Sequence, residues 1–459
     1  MATVIDELVS YILETRFEDF GEEVVEDAKK RIIDVAGCAI GGANAPGISI
    51  MLDLLRGWGG KKEASIIAHG DGVPAHNAAM MNSIMARSYD YEATGPSPTG
   101  EFSNKTVGHN CCTTEPAALS IAEQKGSNGK EIITSVILGG DIAVRIAVAQ
   151  DGDPERGFDV TGPVAALGAT AVAGRLLGLN QNQMVNAFGI VVDTIAGSFK
   201  GINDGVHAFK LHGALAARNA IIAAEMASKG FTGIKDPLLG RGGYFAMYAK
   251  SSHPEYATKD LGKVFYSKGR HKIHPSCYGN HVAIDCALDI LRQQDINCDD
   301  IDEITLGLSL SAYRSNLNEP FELGDSQQKA LFNLPYGVAN VLMRKSVKME
   351  HYTDEFIQDP RVVNLSKKVK VVSTIKPDYS KAIDLKVKLK GGKVLSAHSD
   401  QPRGFEDTPL TKEEIRDKFR ANVAFSKTVS AANAEKALAM LENLEEVNRI
   451  NKIVKLLIA

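Results

Sequence analysis

The chain has 459 residues, 44% of them hydrophobic, and 52 Lys+Arg against 56 Asp+Glu leave a formal charge of -4. Such a chain can bury a sizeable core in roughly two to four domain-sized units. The near balance excludes the broad basic field that draws nucleic acid or acidic membranes, so an anion site must be local.

The first residues set Ile5, Leu8, Val9, Ile12 and Leu13 at helical spacing, behind no basic segment or cleavage site, and a cytoplasmic location is expected. Helical periodicity continues through Val24, Val25, Ala28, Ile32 and Val35 and dominates as far as residue 267. The stretch Gly162 to Gly174 is dense in Ala and Gly, which suits close helix crossing, and Arg175 ends it too early for a membrane span. Residues 268–399 change texture. His281 to Leu291 reads as one helix, while Ile301 to Leu310, Val369 to Ser373 and the alternation Leu385, Val387, Leu389 read as strands. Gly391-Gly392 offers the positive φ angles of a hairpin before Val394 and Leu395. Helical rhythm resumes after residue 400, with Thr411 as N-cap and Glu414 as its capping-box partner. The expected fold is mostly α. A large helical domain from both chain ends, 1–267 and 400–459, is interrupted by a smaller α+β lid domain, 268–399, with a cleft at the junction.

Three clusters carry candidate chemistry. Tyr89 to Thr94, followed by Gly108-His109-Asn110, reads as an irregular loop offering a carboxylate, a hydroxyl and an imidazole for acid/base work. Asp90 and Thr94 as helix caps, with His109 on the surface, satisfies the same spacing. His207 to Gly213 places Lys210 and His212 at a helix start, where ammonium and exposed N–H groups suit a carboxylate, or where Lys210 is simply solvated. Arg270 to His281 gathers Lys272, His274, Cys277 and His281 as cations and thiol before the next helix, or as a solvated basic loop.

The cysteines at 38, 111, 112, 277, 286 and 298 are too sparse for a disulfide scaffold. His274, Cys277 and His281 match no common structural zinc spacing, and adjacent Cys111 and Cys112 do not suit an iron-sulfur cluster. No GxGxxG opens a strand-to-helix unit, and GxxxxGK[ST] and GxSxG are absent. No metal or cofactor is expected.

In order and spacing these segments resemble the MmgE/PrpD family, which includes 2-methylcitrate dehydratase, cis-aconitate decarboxylase and iminodisuccinate epimerase. The carriers are Asp90 to Thr94 with His109, Leu211-His212 to Gly230-Phe231-Thr232-Gly233, Lys272 to His281, Leu334-Pro335-Tyr336, and Arg403-Gly404 to Phe419. The resemblance implies a homodimer and a pocket between helical domain and lid. It places Asp90, Thr94, His109, Lys272, His281 and Tyr336 at family active-site positions, with Lys210 one residue from the usual lysine. Asp159 stands where relatives often carry histidine, and Asn110-Cys111 replaces the usual Pro-Ser after His109. A carboxylate at 159 would repel part of a tricarboxylate unless protonated or paired, which points away from cis-aconitate.

The implied activity is that of a cofactor-independent lyase that takes a proton α to a carboxylate and expels water from a small polycarboxylate. His109 is the expected acid/base, Lys210 and Lys272 are carboxylate clamps, and Asp90 and Thr94 are orienting groups. Tyr336 is the expected donor to the leaving hydroxyl, and His212, Asp159 and Cys277 complete the substrate contacts. The same pocket could epimerise or decarboxylate a related acid, and a catalytically silent carboxylate-binding homologue is the alternative from a different class.

Overall fold

The computed structural model describes residues 3–459 apart from 104, 106, 154–155, 314, 377–380 and 406. The fold is mostly α. The first helix, Val4–Glu14, is closed by a Thr3/Asp6 capping box and buries Ile5, Leu8, Val9 and Ile12, the apolar face read from the sequence. Helices Ala75–Arg87, Cys111–Lys125, Gly129–Val148, Thr161–Leu177 and Leu211–Ser228 pack against one another as the central bundle. Thr161–Leu177 is buried almost all round, so it shows no polar face and its small residues set the packing distance. A Cβ on Gly168 would stand 2.5 Å from the carbonyl oxygen of Gly139 on the neighbouring helix, so glycine is what permits that crossing. Among the described residues no helix is long and apolar enough to cross a membrane.

The helical segment also holds two short antiparallel pairs, Ala64–Ser65 with Gly72–Val73 and Gln150–Gly152 with Ala249–Ser252. These strands are too short to leave a period-two signature. The four-stranded sheet lies entirely within residues 301–399, in the order Val369–Ile375, Ile301–Ser309, Ile383–Leu389, Val394–Ser399. Its first pairing is parallel and the other two are antiparallel. Of the two hairpin glycines only Gly392 adopts positive φ, at 83°. Helix Tyr278–Gln293 covers Ile383–Leu389 and Val394–Ser399 and packs on helix Leu334–Arg344. It begins three residues before the predicted His281 start, directly after Cys277.

Helix Lys412–Ser426 in the C-terminal part of the chain, with its Thr411/Glu414 capping box in place, lies along Glu22–Gly41 near the other chain end. Their contact is also electrostatic. Lys418 reaches the buried Asp34 carboxylate at 2.7 Å, and its ammonium donates to the carbonyls of Tyr91 and Lys272. Asp34 in turn accepts from the Ala93 N–H. One buried ion pair between the two chain ends therefore fixes both backbone segments that form the site.

Candidate active site

A cavity of about 820 Å³ opens where the helical bundle meets the sheet-bearing segment. That is within the size range of small-molecule sites. Arg87, Thr94, His109, Asp159 and Thr161 line it from the helical side, and Arg270, Cys277, Tyr278, Phe332 and Lys381 from the other.

Arg87 ends helix Ala75–Arg87, and the loop that follows turns sharply at Asp90, whose φ is +48°. A left-handed, non-glycine, buried residue stores backbone strain and needs strong contacts to hold it. Asp90 has them: its carboxylate pairs with Arg87 and lies 2.7 Å from Lys272 Nζ. Thr94 is then held by backbone hydrogen bonds in both directions with Arg270. Gly108 has φ +74°, and a Cβ there would stand 3.0 Å from the Thr161 backbone, so only glycine lets the chain deliver His109 at this point.

His109 is half-buried and does not act alone. Its Nδ1 is 2.7 Å from Glu92 Oε1, and Glu92 is also 3.2 Å from Arg87 Nη1. Burial and the Arg87 charge pull the imidazole down to about 4, against the upward pull of Glu92. Burial would raise the Glu92 carboxyl, but Arg87 and His109 outweigh it and keep Glu92 ionised. A carboxylate accepting from Nδ1–H assigns the tautomer and leaves Nε2 with its lone pair. The result is a carboxylate-oriented, unprotonated imidazole at a cavity wall.

Asp159 and His212 form a second pair, with Oδ2 to Nδ1 at 2.9 Å, and Asp159 Oδ1 accepts from the Thr161 N–H. Burial favours the neutral acid there, but the His212 hydrogen bond and charge prevail and hold the Asp159 carboxyl well below its ordinary range. The expected repulsion is thus met by pairing, not protonation. Phe405 faces the same cavity and carries Arg270 4.7 Å and Lys381 4.2 Å from its ring centre.

Of the residues singled out in the sequence, His109, Thr94, Asp159 and Cys277 line the cavity. Asp90, Lys272 and His212 stand one layer behind. Lys272 is fully buried with its Nζ 2.7 Å from the Asp90 carboxylate, and burial, against the opposing charge of Glu92, takes the ammonium down to about 7. The structure does not bring Lys210, Tyr336 or His281 to the cavity wall. Lys210 donates to the Pro46 carbonyl at 2.8 Å, because the 3-10 turn His207–Lys210 directs Phe209 under the Arg87 guanidinium and the lysine elsewhere. Tyr336 is buried on helix Leu334–Arg344 and donates to the His351 carbonyl. His281 is buried behind Tyr278, ring on ring at 4.9 Å, with Nε2 3.2 Å from the Ser276 carbonyl.

Sequence reasoning gave no role to Glu92, Arg87, Thr161 or Phe405. Glu92 stands two residues after Asp90, and a carboxylate beside a candidate histidine was the available signal. Arg87 had none, being the last residue of a buried helix. Asp90, Glu92 and His109 each place one ligand atom within 4.8 Å of the others. Arg87 pairs with both carboxylates and Lys272 holds Asp90, so a metal cation would have to compete with these buried cations for the same oxygens.

Residues 6–257 match the MmgE/PrpD N-terminal domain and residues 274–446 the MmgE/PrpD C-terminal domain. The chain belongs to the MmgE/PrpD family. Among curated MmgE/PrpD-like relatives, a cis-aconitate decarboxylase-like protein, oryM, of Aspergillus oryzae is 24% identical, over 96% of this chain and 93% of that protein. Cis-aconitate decarboxylase of Homo sapiens is 23% identical, over 92% of this chain and 88% of its own. The Aspergillus terreus enzyme of that name is 22% identical, over 88% and 86% respectively. This MmgE/PrpD chain is thus similar to them along nearly its full length.

Proposed function

We propose that this protein is an acid/base enzyme acting on a small polycarboxylate, taking a proton α to a carboxylate and expelling a β-hydroxyl as water. The observation that carries this reading is His109 at the cavity wall with its Nδ1 held 2.7 Å from the Glu92 carboxylate behind it. Family membership supports a polycarboxylate lyase. An imidazole well below its ordinary pKa is a proton acceptor at neutral pH, and Glu92 stabilises the imidazolium once the proton has moved. Arg87, at the same wall, faces the negative charge that builds on the substrate carboxylate. The imidazolium is then the nearest acid for the departing hydroxyl. Residues 268–399 act as a lid that brings Arg270 and Lys381 to the bound anion.

The names of the relatives favour a second reading, decarboxylation of an unsaturated acid. There the carboxylate leaves as CO₂ and the carbanion must be protonated, so His109 has to be charged before the reaction begins. The two routes differ in pH dependence: dehydration needs neutral His109 and loses rate on its acid limb, whereas decarboxylation gains rate as His109 takes up a proton. Incubating the protein with hydroxy- and unsaturated di- and tricarboxylates, and identifying products by NMR, tests the proposal. Water loss from a hydroxy acid supports dehydration, CO₂ release supports the second reading, and turnover of none of these acids contradicts both.

A further inference from the structure

We propose that the cleft takes a polycarboxylate bearing an apolar substituent of several carbons, with its carboxylates at the Arg87 and His109 wall and its chain along Val282, Leu308, Leu317 and Phe332. The inference rests on the reading that the 820 Å³ cavity is the substrate cleft, and it names the substrate class.

Volume is the first observation. A tricarboxylate the size of citrate fills about 200 Å³ at the packing density of protein interiors, so roughly three quarters of the 820 Å³ is left over. The second observation is how the walls divide. Arg87, Thr94, His109, Asp159 and Thr161, the groups suited to charge and proton transfer, all come from the helical side. Residues 268–399 supply Val282, Leu308, Leu317, Phe332 and Ile383. Several polar side chains of that segment at the same wall are engaged by its own atoms. Asn333 accepts from the Tyr336 N–H and donates to the Glu319 carbonyl, Asn318 donates to the carbonyls of Ala312 and Tyr313, and Lys329 pairs with Asp325.

The apolar wall begins beside the charged end. Phe209 carries the Arg87 guanidinium 5.3 Å from its ring centre, and Phe332 packs edge-on against Phe209 with ring centres 5.6 Å apart. Gly279 and Val282 share one face of helix Tyr278–Gln293. Leu317 lies directly against Gly279, where an added Cβ would stand 2.5 Å from its Cδ1. Across the cavity Phe199, 43% exposed, adds a large apolar side chain. Such a wall favours a ligand whose apolar surface displaces its water, and a carboxylate placed there would lose hydration for no partner. A compact tricarboxylate would leave this wall facing water, whereas an alkyl chain attached to the acid covers it.

The test is calorimetric titration of wild type, Leu317→Asn and Val282→Thr with succinate, methylsuccinate, butylsuccinate and citrate. In wild type each buried methylene should tighten binding about threefold to fourfold, which makes butylsuccinate about 30-fold or more tighter than methylsuccinate. Each substitution sets a polar group of similar shape against the chain, and the butyl-to-methyl ratio should fall at least about threefold in one variant or both. Ratios taken within one variant do not depend on how much of the sample is folded. A wild-type ratio below about fivefold, or one that both variants leave unchanged, would overturn the inference, and binding of succinate or citrate in that case leaves the polycarboxylate reading in place. Failure of all four acids to bind would remove both.

Discussion

Replacing Glu92 by Gln isolates the contribution of the orienting carboxylate. The side chain keeps its shape, so an amide oxygen can still reach Nδ1, but the charge that stabilises the imidazolium is lost. A carboxylate and an imidazolium with charge centres about 4 Å apart, at an effective dielectric of about 20, attract by on the order of 4 kcal/mol. Arg87 Nη1, 3.2 Å from the same carboxylate, is left less compensated and adds to the loss. Allowing for relaxation and water entry, some 3 to 4 kcal/mol off transition-state stabilisation lowers kcat by about 10² to 10³. The assay is kcat and kcat/KM against pH on the acid that is turned over. Wild type should lose kcat/KM below pH about 4, as His109 is protonated in the free enzyme. In Glu92→Gln that limb should move further toward acid while the plateau drops. A plateau within about threefold of wild type, or an acid limb displaced upward, would refute the reasoning.

Lys418→Met strips the buried Asp34 of its ammonium partner, leaving it the His271 imidazole and the Ala93 N–H, and should cost about 3 kcal/mol in denaturant unfolding; a loss under about 1 kcal/mol would show the pair to be dispensable. Gly168→Ala drives a methyl to 2.5 Å from the Gly139 carbonyl oxygen and should lower stability by about 1 to 3 kcal/mol, read from the same unfolding curves. Tyr336→Phe loses one buried hydrogen bond, about 1 kcal/mol of stability, and should leave kcat/KM within about threefold of wild type, since its hydroxyl serves His351 and not the cavity. Acid should destabilise the fold early. Burial first, then neighbouring cations, keep His109 and His351 near 4 and His281 well below its ordinary value, while the unfolded chain takes up those protons below about pH 6.5. The unfolded state binds more protons in that window, so stability falls as pH drops from about 6.5 to 4, by on the order of 3 kcal/mol for His109 alone. A melting temperature flat across that range would contradict the assignment of neutral histidines.

The elements that could be read in advance were those with a period. Ile5 to Ile12, Leu385 to Leu389 and the Thr411/Glu414 cap each carry a local rule that tertiary structure did not override. The two-residue strands at 64–65 and 72–73 are tertiary products with no pattern of their own. The site followed the same division. His109 and Thr94 could be named because family resemblance marks positions, Asp159 because it departs from the family there, and Cys277 from its place among basic residues, and all four line the cavity. Resemblance does not mark direction, however, and Lys210, Tyr336 and His281 turn toward backbone carbonyls because buried donors and imidazole nitrogens must be satisfied where they lie. Arg87 and Glu92 escaped because their function is mutual. Each is a buried ion whose tolerance depends on the other, and no spacing rule reports a contact between a helix end and the loop that leaves it.

The most direct test of the central claim is proton exchange in deuterated water, followed by NMR on the polycarboxylate that the wild type turns over. The account predicts deuterium appearing at the carbon next to a carboxylate with wild-type protein and none above background with His109→Ala, although the acid still binds. Undiminished exchange in His109→Ala, or turnover by wild type with that position never labelled, would contradict it.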